Sequence, residues 1–107
     1  MKEYNIFITE DARNNLREIF SYISDYLLET SIAKKTQKSI LTSIAPLKNM
    51  PNRNPLINDE PYKSYKVRIH TAENYLIFYI VDESLSTVTV LNIIYNRRDW
   101  KNLVTTQ

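Results

Sequence analysis

A chain of 107 residues with 24% charged residues and a net charge of +2 has the length of one domain, 1–107, and only a mild basic bias. It contains no cysteine, no glycine and one histidine. Those absences exclude disulfides, thiolate chemistry, a multi-histidine zinc site and any Gly-rich phosphate loop. Positive-φ turns are then expected to fall on Asn or Asp. No apolar run approaches the roughly 18 residues of a membrane span. The opening Met1-Lys2-Glu3-Tyr4 lacks the apolar core of a secretory signal. The expectation is a cytoplasmic protein with no membrane partner, no metal and no cofactor.

The first element is a strand in which Tyr4, Ile6 and Ile8 share one face. Thr9 is a good helix cap, with Glu10 and Asp11 in the first turn. Ala12, Leu16, Ile19, Phe20, Ile23 and Leu27 recur at steps of three and four, which predicts an amphipathic helix to about Leu28. A second helix starts near Ser31 or Ile32 with Ala33, Ile40, Ile44 and Leu47 inside, and Pro46 ends or kinks it. The two form an αα-hairpin. Residues 50–61, punctuated by Pro51, Pro55 and Pro61, read as a surface loop. Three strand-like runs follow, over 62–70, 74–81 and 87–95, joined by turns short enough for antiparallel hairpins. Residues 97–104 have the length of a short C-terminal helix.

The order β-α-α-β-β-β predicts an α+β fold in which the helical hairpin packs on one face of a small antiparallel sheet and leaves the other face exposed. Lys63, Lys66 and Arg68 lie in a stretch without an acid. Arg97, Arg98 and Lys101 cluster near the end of the chain. Brought together, such residues make a phosphate-binding face; apart, they are solvated surface charges. His70 has the ordinary pKa for acid–base work near neutrality. Tyr75, Ile77 and Tyr79 are in phase on one strand, so at least one of the tyrosines belongs to the core.

Five stretches resemble toxins of the RelE/ParE superfamily. Tyr4-Asn5-Ile6-Phe7-Ile8-Thr9-Glu10-Asp11-Ala12 is similar to the family's first strand running into its first helix, and Leu16-Arg17-Glu18-Ile19-Phe20-Ser21-Tyr22-Ile23 to that helix in the ParE-like branch. Ile44-Ala45-Pro46-Leu47-Lys48-Asn49-Met50-Pro51 resembles the close of the second helix. Asn74-Tyr75-Leu76-Ile77-Phe78-Tyr79-Ile80-Val81 and Val90-Leu91-Asn92-Ile93-Ile94-Tyr95-Asn96-Arg97-Arg98-Asp99 resemble the central and last strands. Tyr95-Asn96 stands where the ParE-like pattern often has His-Gly.

The resemblance implies the toxin of a type II toxin–antitoxin system that inhibits bacterial growth and is neutralised by a ParD- or RelB-like antitoxin, the complex binding promoter DNA through the antitoxin. Two targets remain open. A RelE-like toxin enters the ribosome and cleaves mRNA as a metal-independent endoribonuclease. A ParE-like toxin poisons DNA gyrase and is not an enzyme. The alternative is a degenerate, non-toxic antitoxin-binding protein. For the RelE-like case the resemblance implies Arg68, His70 and Arg97 as catalytic residues. His70 precedes Asn74-Tyr75 by the interval seen in histidine-using relatives. Lys63, Lys66, Tyr75, Tyr95 and Arg98 are the expected RNA- or target-binding residues.

Overall fold

The computed structural model describes residues 2–96. Its elements are β1 (Asn5–Ile8), α1 (Glu10–Ser21), α2 (Thr30–Ile44), β2 (Arg68–Ala72), β3 (Tyr75–Asp82) and β4 (Thr87–Tyr95). The expected C-terminal helix lies outside the described residues.

Thr9 caps α1 as its sequence context predicts. Its hydroxyl oxygen accepts the Ala12 N–H at 3.1 Å, satisfying a donor that the first helical turn leaves open. The same hydroxyl donates to the carbonyl of Val90 at 2.9 Å, so one residue starts the helix and pins it to the sheet. Beyond Ser21 the helix widens into a π-helical turn over Tyr22–Tyr26. α2 then returns and tightens into a 3₁₀ turn over Ala45–Lys48, which accommodates Pro46 near its start. Ala12, Leu16, Ile40, Ile44 and Leu47 form the helical half of the main core, and Ile77, Tyr79, Val88, Val90 and Ile93 the sheet half.

The described strands run in the order β1-β4-β3-β2. The β2–β3 and β3–β4 pairs are antiparallel, as expected, but β1 lies parallel to β4, with Ile6 opposite Val88 and Ile8 opposite Val90. The sheet is therefore mixed. This pairing joins the two ends of the described fold, and no local turn announces it. The β3–β4 register shifts between Phe78 and Tyr79: Tyr79 pairs with Val90 and Phe78 with Asn92, leaving Leu91 as the extra residue of a bulge. The bulge explains why Val88, Val90 and then Ile93 face the helices.

Two expectations are corrected. The sheet face away from the helices is not left bare. Leu56 bridges to Arg68, Ile57 N–H donates to the Val67 carbonyl at 2.8 Å, and Ile57, Val67, Leu76 and Phe78 form a second buried cluster with Tyr62 against it. The run 62–70 is accordingly a strand only from Arg68; residues 62–66 form turns over that second cluster. The apolar Tyr62 and Val67 that suggested a strand serve as cover for Phe78.

The other correction concerns backbone geometry. Among the described residues, positive φ falls on Leu28, Lys66, Glu73 and Ser86, not on Asn or Asp. In the two-residue turn between Ala72 and Tyr75 it is the first position, Glu73, that takes φ 54°, as turns of the II′ kind require. Leu28, with φ 57° and a side chain 82% exposed, gains no burial there. A left-handed Leu costs about 1–2 kcal/mol, and glycine returns part of that gain as unfolded-chain entropy. Leu28→Gly is expected to stabilise the fold by about 0.5–1 kcal/mol in urea denaturation. A destabilised variant would show that Leu28 packs more than its exposure indicates.

Candidate functional site

Arg68 and His70 sit two residues apart on β2, opposite Tyr79 and Ile77 of β3. Paired residues share a face, so both side chains project to the helix side, under the end of α2 and the segment that follows it. Proline starts that segment as a short 3₁₀ turn, Pro51–Arg53, and Asn54 leaves it in extended backbone.

A chain of hydrogen bonds ties these pieces together. The buried Tyr79 hydroxyl donates to the Pro51 carbonyl at 2.6 Å and accepts from Asn54 Nδ2 at 3.1 Å. Asn54 Nδ2 also lies 2.9 Å from His70 Nδ1. On its other side His70 Nε2 lies 3.0 Å from the Ser43 carbonyl and 2.8 Å from Ser43 Oγ. Arg68 Nη1 donates to the backbone carbonyl of Asn54. Both ring nitrogens of His70 thus have protein partners.

Burial lowers the His70 pKa from its usual 6.5; the Ser43 carbonyl bond opposes this and the Arg53 charge adds to it. Burial pushes the Tyr79 hydroxyl up, against its bond to Asn54 and the charges of Arg68 and Arg53. Arg53 therefore belongs to the same electrostatic neighbourhood, although it lies outside the strands. Among the described residues no carboxylate forms an ion pair with Arg53 or Arg68; the exposed Lys2–Glu83 pair, 3.6 Å apart, lies elsewhere. Along one side of α2 runs an open groove lined by Lys35, Lys38, Ser39, Thr42 and Ser43.

The pKa direction has a consequence for stability. A histidine whose folded pKa lies below its unfolded value binds its proton better in the unfolded chain, so its contribution is complete above pH 6.5 and declines as pH falls toward the folded value. The melting temperature is expected to be flat above about pH 7 and to fall as the pH drops below about 6.5. Asp82 and Glu83, held below 3.8 and 4.5 mainly by hydrogen bonds from Ser84 and Tyr4, lose their contributions only at lower pH. His70→Gln should remove the upper slope; persistence of that slope in the variant would assign it to another group.

The other expected residues fall into separate places. Lys63 and Lys66 are exposed on the turns covering the second sheet face, and no hydrogen bond or ion pair joins them to Arg68 or His70. Tyr75 and Tyr95 pair across β3 and β4 with rings edge-on, 5.7 Å apart. They stand four residues along β3 from the partner of Arg68, about 13 Å away. Tyr75 packs on the main core and Tyr95 is half exposed. Arg97 and Arg98 lie outside the described residues. Asn54, Ser43 and Arg53 were missed by sequence reasoning. The one signal toward them was the Pro- and Asn-rich loop itself.

Among the described residues no group of His, Asp and Glu is placed to hold a metal ion, and no helix is long and apolar enough to cross a membrane. The fold is similar to a chain of the chromosomal ParDE toxin–antitoxin system from P. aeruginosa, with a TM-score of 0.73 and 20% identity over 89% of this chain and 98% of that one. It is also similar to a chain of the RelBE2 toxin–antitoxin complex from Mycobacterium tuberculosis, with a TM-score of 0.61 and 18% identity over 87% and 98%. No curated protein matches the sequence. Residues 6–100 match the family described as ParE toxin of type II toxin-antitoxin system, parDE, a span that runs from β1 through β4, and the chain belongs to that family.

Proposed function

We propose that this toxin arrests bacterial growth by gripping its target, DNA gyrase, and not by cutting RNA, and that a ParD-like antitoxin neutralises it. The observation that carries the reading is the state of His70. RNA cleavage needs a group to take the 2′-hydroxyl proton and a group to return one to the leaving oxygen. His70 has both nitrogens committed to Ser43 and Asn54, and Tyr79, the strand partner of Arg68, has its hydroxyl buried and bonded to Pro51. Recognition requires neither. Half-buried Arg68, held on one side by Asn54 and without an acidic partner among the described residues, suits a charge-assisted contact to a carboxylate or phosphate. The same property fits an antitoxin whose acidic segment covers Arg68 and Arg97, and both solved structures named above come from toxin–antitoxin complexes.

A second reading is favoured by one feature. Arg53 and Arg68, both without a carboxylate partner among the described residues and both acting on Tyr79, are the kind of cations that stabilise a phosphorane. In that reading Arg68, His70 and Arg97 are catalytic and ribosome-bound mRNA is the substrate. Induced expression in a bacterial host decides, with mRNA 5′ ends mapped and gyrase–DNA complexes trapped within minutes. Intact mRNA with trapped gyrase is the expected result. New in-frame mRNA ends would replace the gyrase reading with the ribosomal one. Harmless expression of folded protein would leave only antitoxin binding.

A further inference from the structure

We propose that Asn54 is the positioning residue that keeps His70 uncharged, through a line of hydrogen bonds whose direction is dictated from Pro51. The Pro51 carbonyl can only accept, so the Tyr79 proton points at it, 2.6 Å away. The remaining capacity of the Tyr79 oxygen toward Asn54 is as an acceptor, and the Asn54 atom facing it must be the amide NH₂, 3.1 Å away. That NH₂ also faces His70 Nδ1 at 2.9 Å, so Nδ1 must be bare to accept. At the far side of the ring the Ser43 carbonyl, 3.0 Å from Nε2, requires a proton there. The two constraints together specify the neutral Nε2–H imidazole.

The division of labour is the new point. Ser43 fixes which nitrogen carries the proton, and it would do so equally for the imidazolium. Asn54 is what refuses the second proton, because an Nδ1–H would meet an N–H donor. To admit it the carboxamide must turn over, which presents its oxygen to Tyr79 and sets Tyr79 to choose between Asn54 and Pro51. Of the groups around the ring, the Arg53 charge reinforces the refusal. Arg53 stands on the 51–53 turn, Arg68 two residues along β2, and the phenol of Tyr79 on β3. α2 contributes Ser43, with Lys35 and Lys38 in the same groove. Glu73, at the end of β2, is turned to the Ser39 hydroxyl at 2.6 Å. The functional meaning, which rests on the recognition reading above, is that the β2 edge presents a fixed charge from Arg53 and Arg68 across physiological pH, with no third charge appearing beside them.

The chain has a single histidine, so ¹⁵N spectra of histidine-labelled protein report this ring alone, independently of any toxic activity. The wild type is expected to show Nε2 protonated and Nδ1 bare at neutral pH, with a titration midpoint below 6.5. Asn54→Asp replaces the opposing donor with a carboxylate acceptor. Its midpoint is expected to rise above 6.5, at least a tenfold increase in proton affinity, with Nδ1 protonated. Tyr79→Phe releases the amide to turn and is expected to fall between the two. A protonated Nδ1 in neutral wild-type protein overturns the proposal without any variant. Equal midpoints in wild type and folded Asn54→Asp overturn it as well, and if Asn54→Asp does not fold, an unshifted Tyr79→Phe does the same.

Discussion

Tyr79→Ala is expected to lower the unfolding free energy by about 3–5 kcal/mol, the usual cost of emptying a buried aromatic site. Tyr79 is fully buried among Ile77, Val88 and Val90 in the main core, so the loss is of packing first. The hydroxyl adds a separate cost, which Tyr79→Phe isolates. Without it the Pro51 carbonyl loses its donor and Asn54 Nδ2 loses one of two acceptors. Leaving such groups unpaired costs about 1–3 kcal/mol. Domains of this size are stable by about 5–15 kcal/mol, so the alanine variant approaches the threshold of folding while the phenylalanine variant stays folded. Urea denaturation followed by far-ultraviolet circular dichroism measures both. A Tyr79→Phe cost below about 0.5 kcal/mol would mean that solvent replaces the hydroxyl's partners and that the 51–54 segment is held by other contacts.

That same residue shows what the sequence makes legible. The in-phase Tyr75, Ile77 and Tyr79 required a core tyrosine, and Tyr79 is one, because alternation along a strand is a local property. The cap at Thr9, the inward Ala12 and Leu16, the end of α2 just before Pro46 and the span of β4 were readable for the same reason. Strand order was not. β1 meets β4 across the whole described chain, and a four-residue strand carries no mark of its partner. The Leu91 bulge was equally hidden, since its extra residue is needed only once Tyr79 and Val90 are in register. The second cluster escaped because Tyr62 and Val67 have the composition of a strand while their role, covering Phe78, is tertiary.

The site divides along the same line. Arg68 and His70 are two apart on a strand, so their shared face followed from spacing alone. Ser43, Arg53 and Asn54 reach that face from α2 and the loop after it. Asparagine in a Pro-rich loop ordinarily signals a turn; nothing local distinguishes one that turns from one that holds a histidine. Lys63 and Lys66 fall on the turns that cover the second face, while Arg68 projects to the helix side; Tyr75 and Tyr95 share that helix side but stand four residues farther along β3.

Arg68→Ala and His70→Gln are expected to separate cleanly if recognition is what this surface does. An arginine at the heart of an interface typically costs about 2 kcal/mol or more on truncation, which is roughly a 30-fold loss of affinity. Arg68→Ala should therefore weaken binding to purified gyrase by about that factor and blunt growth arrest at matched levels of folded protein. His70→Gln removes a ring already enclosed by Ser43 and Asn54, so it should lower stability modestly and leave gyrase affinity within about threefold of wild type. The comparison depends on the difference between the two variants, which a general loss of folding cannot imitate, because His70→Gln disturbs the hydrogen-bond chain more than Arg68→Ala does. If His70→Gln instead abolishes arrest as completely as Arg68→Ala while both remain folded, the imidazole takes part in chemistry after all. Recognition would then give way to cleavage, and the commitment of both ring nitrogens would describe a resting state that substrate must open.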